Sequence, residues 1–209
     1  MNISISLILV GITVLVSWRA FNDQSLFYRL CHWPVKEHRN KQYYRLLSHG
    51  FVHGSWLHLL INMFVLWQFG EIAESFFIQS FGLQMGRLFF VLVYLGTIVC
   101  ASIPTFFNKK NREQYMSVGA SGGVSGIVFI FILLMPWQSL YLYGLIPIPG
   151  IVAGILYLWY SSYASKNVQD RIDHEAHFYG ALFGVFFTLL LKPSLASEFL
   201  HALIDDFPL

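Results

Sequence analysis

The 209-residue chain is 56% hydrophobic, 18% aromatic and only 11% charged, with a formal net charge of +2. A soluble domain carries about 25% charged residues, so this chain cannot cover a water-facing surface and reads as an integral membrane protein. The small net charge gives no reason to expect a nucleic-acid partner, and two cysteines, Cys31 and Cys100, supply no disulfide framework.

Six apolar stretches of membrane-spanning length follow one another at 2–18, 55–77, 84–106, 117–136, 142–163 and 174–191. Lipid offers no hydrogen-bond partner to open backbone, so all six are expected to be helices. The fold expected over 1–209 is one all-α domain. The first stretch lacks a basic leader and runs for a full span, so it reads as a transmembrane helix and not as a cleavable signal.

The connection 19–54 is long and mixes Phe21, Leu26, Phe27, Tyr28, Leu30 and Trp33 with six Lys/Arg residues. That is the composition of a structured segment lying at the interface. The loops at 107–115 and 164–173 are short and polar. Pro147, Pro149, Gly150 and Gly154 make the start of the fifth stretch irregular. Residues 192–209 read as a tail with an amphipathic turn around 199–204.

Because the spans alternate direction, the starts of the second, fourth and sixth lie at one face. Those starts carry His58 and Asn62, Ser121, and His177. Gly119-Ala120-Ser121-Gly122-Gly123-Val124-Ser125-Gly126 places a serine among small residues just inside a hydrophobic helix. Ser121/Ser125 and Gly122/Gly126 are four apart, and Gly180/Gly184 match them on the sixth stretch. Small-xxx-small faces permit close helix contact in membranes, which would carry the Ser121 hydroxyl to His177 as a nucleophile–base pair requires. Packing alone is the plainer alternative for the glycines. An ionisable residue in a span is a functional hypothesis by default; His174, a turn nearer water, rivals His177 as base.

His58 and Asn62 suit hydrogen-bond donation to an oxyanion, with the Ser121 backbone N–H as a third donor. Interhelical bonding is their alternative role. His49, His53 and His58 also admit a metal reading, but a zinc peptidase wants a glutamate between the first two histidines, and none is there. No metal or other cofactor is therefore expected. Asp173 and Glu175 sit on the water side of His177, which leaves a Ser–His dyad and not a full triad.

These residues resemble the rhomboid intramembrane serine proteases, in their minimal six-helix bacterial form, over nearly the whole chain. Gly119-Ala120-Ser121-Gly122 is similar to the family's GxSG, Ala176-His177 through Gly180 and Gly184 to its AHxxGxxxG, and His49, His53, His58 and Asn62 to its HxxxHxxxxHxxxN. The resemblance implies a six-helix rhomboid bundle with Ser121 as nucleophile, His177 as general base and acid, and His58 and Asn62 at the oxyanion. It implies hydrolysis of peptide bonds in or beside the transmembrane helices of single-span or multi-span substrates in the lipid bilayer. Substrate would reach the site laterally, beside the fifth span.

Two positions depart from the pattern. Tyr44-Arg45 stands where many members have Trp-Arg, and the same anchoring of the first loop at the interface is expected from it. Ser125 stands where an aromatic commonly stacks on the base, so another ring, Phe178 or Tyr94, is expected to orient His177. The family arrangement implies a bacterial inner membrane with the active site on the extracytoplasmic side. Yet eleven of the thirteen Lys/Arg residues fall on the active-site face, opposite to the positive-inside tendency. A non-catalytic adaptor of the same fold is the alternative function. A small transporter would want paired halves, and none are visible.

Overall fold

The computed structural model describes residues 3–142, 145–168, 170 and 172–207. Its helices are α1 (Ile5–Asn22), α2 (Gln24–Leu30), α3 (Pro34–Asn40), α4 (Arg45–Ser48), α5 (Trp56–Phe81), α6 (Leu83–Lys109), α7 (Ser121–Leu134), α8 (Gly150–Asn167), α9 (His174–Leu191) and α10 (Leu195–Asp205). A 3-10 turn, His49–Phe51, follows α4. Residue 2 of the expected first span, Arg171 of the charge count and residues 208–209 of the tail lie outside the described residues.

The fold is a membrane bundle of α1, α5, α6, α7, α8 and α9 with a folded first loop. The column at its centre is α7, in which Gly122 to Ile127 and Phe129 to Leu133 are all buried. Leu59, Met63 and Leu66 of α5, Phe90, Tyr94 and Ile98 of α6, and Ile127 and Ile130 of α7 share one core. Lipid is as apolar as leucine, so such contacts hold a bundle through close packing and polar ties rather than through flight from water. One tie is Glu74 of α5. Its carboxylate accepts from the N–H groups of Ile5 and Ser6 at 3.1 and 3.0 Å, filling orphan donors at the start of α1. Arg87 of α6 stands 3.3 Å from the same carboxylate.

By length and apolarity, α1, α5 and α6 can each cross a membrane, and α9 with α10 pass only as a pair bent by 113°. Pro193 lies just beyond α9, where a helix must stop. α10 extends the amphipathic turn expected around 199–204 to eleven residues, with Leu200 and Ile204 exposed on one side and Glu198, His201 and Asp205 on the other.

Two expected spans begin late. The fourth starts at Ser121 instead of 117, and its helix has 14 residues. The fifth starts at Gly150 instead of 142, because Pro147 and Pro149 lack the N–H groups a helix needs. The residues before it form a hairpin of β1 (Ser139–Leu142) and β2 (Ile146–Pro149), antiparallel with Leu140 opposite Ile148. The first N–H groups of α8 then donate to the carbonyls of Gln138 (3.0 Å) and Pro136 (2.8 Å), so the late start leaves them satisfied.

Candidate active site

Residues 117–120 bring the chain to Ser121 and are tied down at each step. Ser117 exchanges both backbone hydrogen bonds with His32 of the first loop. The Gly119 N–H donates to the His49 carbonyl at 3.0 Å, and the Ala120 N–H to His53 Nε2 at 3.3 Å. Gly119 has φ +125°, a conformation that L side chains rarely adopt, and a Cβ there would lie 2.6 Å from the His58 ring. Both constraints require glycine two residues before Ser121. Ser121 is the first residue of α7, and the first bond of that helix is Val124 N–H to the Ala120 carbonyl at 2.9 Å. The N–H groups of Ser121, Gly122 and Gly123 precede it, at the positive end of the helix dipole, where a developing oxyanion is favoured.

α7 and α9 meet backbone to backbone. A Cβ on Gly180 would collide with the Gly122 carbonyl, and one on Gly184 with Gly126. Gly122 in turn faces the Ala176 carbonyl across the same seam. The seam sets Ser121 of α7 and His177 of α9 at one level. Among the described residues no hydrogen bond joins the Ser121 hydroxyl to the His177 ring. Catalytic hydrogen bonds are often long before substrate binds.

The start of α9 is fixed by Asp173. Its carboxylate accepts from the Ala176 N–H and the Thr105 hydroxyl, each at 3.0 Å, and from the Ser117 hydroxyl at 3.1 Å. One helix cap thus joins α6, the approach to Ser121 and the helix that carries His177. An aspartate three residues before a buried N–H is an ordinary N-cap signal, and it was legible at Asp173. His174 Nε2 pairs with the Asp170 carboxylate at 3.1 Å.

His58 reaches the site: its ring packs against Gly119 and lies 5.0 Å from the His53 ring. Asn62, one turn on and buried, donates one amide N–H to the His58 carbonyl at 2.8 Å. That bond lies within its own helix and occupies one of the two N–H groups.

The ring parallel to His177 is Tyr157 of α8, with centroids 6.1 Å apart and planes 19° apart. Neither ring expected from sequence stands there. Phe178 is edge-on to Tyr179, and Tyr94 lies on α6, fully buried, facing Gly123. The signal for Tyr157 was present as a matched spacing, Tyr157/Tyr160 against His174/His177, each three apart.

The family model described as "Rhomboid domain" matches residues 40–194. The chain belongs to the rhomboid family. It is 25% identical over 86% of its length to RHOMBOID-like protein 12, mitochondrial, of Arabidopsis thaliana, covering 55% of that relative. It is 30% identical over 74% of its length to the chloroplastic Rhomboid-like protein 11 of the same plant, again covering 55%. Rhomboid protease GlpG of Haemophilus influenzae is 29% identical over 60% of the chain and 57% of the relative. The chain spans little more than half the length of these curated relatives.

In this rhomboid chain the first-loop histidines His49 and His53 go to separate partners. Ser102 donates to the Ile98 carbonyl at 2.9 Å, so at the 2.7 Å contact His49 Nε2 is the donor. His53 accepts from Ala120 at Nε2 and therefore carries its proton on Nδ1. The Nδ1–H donates to the Ser17 hydroxyl oxygen (3.0 Å), and that hydroxyl donates to the Phe51 carbonyl at 2.9 Å. Burial, with a neighbouring imidazole, lowers His49 and His53 from 6.5 to about 3. Both stay neutral in the fold but take up protons once unfolded, below about pH 6.5. Their contribution to stability is full above pH 6.5 and is lost as pH falls towards 3. Thermal unfolding in detergent is expected to show the midpoint falling steadily between those limits, and the fall is expected to be shallower in His49→Gln.

Of the Tyr44-Arg45 pair, the arginine lies inside the loop. Arg45 is 3% exposed and donates to the carbonyls of Tyr28 (2.8 Å) and Cys31 (2.9 Å), folding α2 onto α4. Tyr44 remains half exposed, with its hydroxyl donating to the Arg29 carbonyl at 3.2 Å.

Proposed function

We propose that this rhomboid is an intramembrane serine endopeptidase. The observation that supports the reading is the side-chain-free seam between α7 and α9, in which Gly122, next to Ser121, lies against the carbonyl of Ala176, next to His177, while the His58 ring lies against Gly119. Ser121 Oγ attacks the scissile carbonyl while His177 takes its proton. The oxyanion is held by N–H groups at the start of α7, with His58 and the free N–H of Asn62 as side-chain donors. Collapse of the tetrahedral intermediate expels the amine, which receives the proton from His177. Water then hydrolyses the acyl-enzyme by the same route. Substrates are transmembrane helices of single-span or multi-span proteins. Gly122, Gly126, Gly180 and Gly184 keep the reacting helices close, and Gly119 makes the turn that leads into Ser121.

The whole chain acts as a single rhomboid domain, in a bacterial inner membrane with the Ser121 face outside. The positive charge on that face does not oppose this placement, because part of it is committed to the folded loop. Arg45 is buried there, and Arg39 is bonded to Glu113 at 2.6 Å.

A fluorophosphonate probe tests the reading. Purified protein in detergent is expected to be labelled on Ser121, and Ser121→Ala is expected to stay unlabelled. A folded wild type that takes no label would leave the non-catalytic adaptor as the function.

A further inference from the structure

Tyr157 touches both reacting helices from a third one. Its ring lies parallel to the His177 imidazole, and its hydroxyl is hydrogen-bonded to Ser125 of α7. Ser125 also bonds the Ser121 carbonyl at 2.7 Å, and a carbonyl can only accept. The single serine proton is therefore spent there, so Tyr157 must be the donor in its bond with Ser125. The phenol is held at its tip by the helix of the nucleophile, while its ring lies near-parallel to that of the base, with centroids 6.1 Å apart. One turn along, Tyr160 is edge-on to His174 with centroids 5.6 Å apart, so the register of α8 on α9 is repeated by a second pair.

An imidazole joined to its backbone by two single bonds needs something to fix its plane. Among the described residues no carboxylate hydrogen-bonds to His177. Besides Tyr157, the aromatic ring beside it is that of His174, nearly perpendicular at 6.0 Å and 80°. A perpendicular neighbour limits position, whereas a parallel one fixes the plane of the ring.

We propose that Tyr157 is the positioning residue of this active site. Its ring sets the plane of the His177 imidazole, and Ser125 locks Tyr157 in that orientation. This proposal rests on the protease reading and assigns to α8 a part in the chemistry, where only a place beside the substrate path had been expected. Small misplacements of a reacting group cost up to about a hundredfold in rate, which sets the scale of the effect.

The test uses the full chain in detergent with a single-span reporter substrate and the fluorophosphonate probe. Tyr157→Leu keeps bulk and removes the flat ring. Its kcat is expected to fall about 10- to 100-fold with KM within about twofold, and the labelling rate of Ser121 should fall in step. Tyr157→Phe and Ser125→Ala cut the same link while keeping the ring. Each is expected to slow labelling about threefold, and the double variant is expected to be no slower than either. If Tyr157→Leu does not fold, that double-mutant cycle decides the matter.

A raised KM with wild-type labelling would make Tyr157 a residue of substrate access and overturn the proposal. So would additive losses in the cycle. Either result leaves the protease standing. A wild type without label removes both.

Discussion

Cleavage of a single-span reporter is expected to vanish in Ser121→Ala and in His177→Ala, each by about four to six orders of magnitude in kcat. The double variant is expected to be no worse than either single one. The reason is chemical: the hydroxyl is a poor nucleophile until a base takes its proton, and the base has nothing to do without the hydroxyl. Removing one therefore removes the function of both. Both variants should retain the fold, since Ser121 and His177 are only partly buried and neither closes the α7–α9 seam. Cleavage followed by mass spectrometry, beside unfolding curves for each variant, separates lost chemistry from lost structure.

Gly180→Leu and Gly184→Leu are expected to act in the other order, losing the fold first and activity with it. The atoms in the way are backbone: the Gly122 carbonyl against position 180, and Gly126, with its carbonyl oxygen 2.6 Å from a Cβ, against position 184. A side chain can rotate away from an intruder, but a helix backbone cannot. Overpacking costs about 1–3 kcal/mol where side chains can yield, and a loss of about 3 kcal/mol or more is expected here. Gly11→Ala is the control with the opposite sign. Nothing lies within 4 Å of its Cβ, and the change stiffens the unfolded chain, so a gain of about 0.5 kcal/mol is expected. Unfolding midpoints in detergent measure all three.

The bundle was legible as a succession of apolar stretches, although among the described helices only α1, α5 and α6 cross singly by length and apolarity, and the seam was legible because glycines four apart on two spans can only mean close contact or chance. The fate of each polar atom was not legible. Asn62 has the spacing of an oxyanion donor, and spacing says nothing of the bond it makes to the His58 carbonyl. Arg45 read as an interface anchor because arginine is usually wet, yet three loop groups, including the Gln42 side chain at 2.8 Å, draw it inside. The late start of α8 was half visible in Pro147 and Pro149; pairing between Ser139–Leu142 and Ile146–Pro149 depends on two runs that only folding brings together. Tyr157 was missed because its mark, a three-residue spacing shared with His174 and His177, gains meaning only once α8 is known to pack on α9.

The enclosure of α7 decides how the surrounding bilayer can influence catalysis. A helix of 14 residues is about 21 Å long, well short of a hydrocarbon core of about 30 Å. Wrapped by its neighbours, α7 has protein for its solvent and has no need to match that thickness. α8 is different: Val152, Ile155, Leu156, Trp159, Tyr160 and Tyr163 are all exposed along it. Changes in acyl-chain length or lateral pressure therefore leave the nucleophile where it is and act first on α8. Lipid composition reaches this dyad through the helix that carries Tyr157.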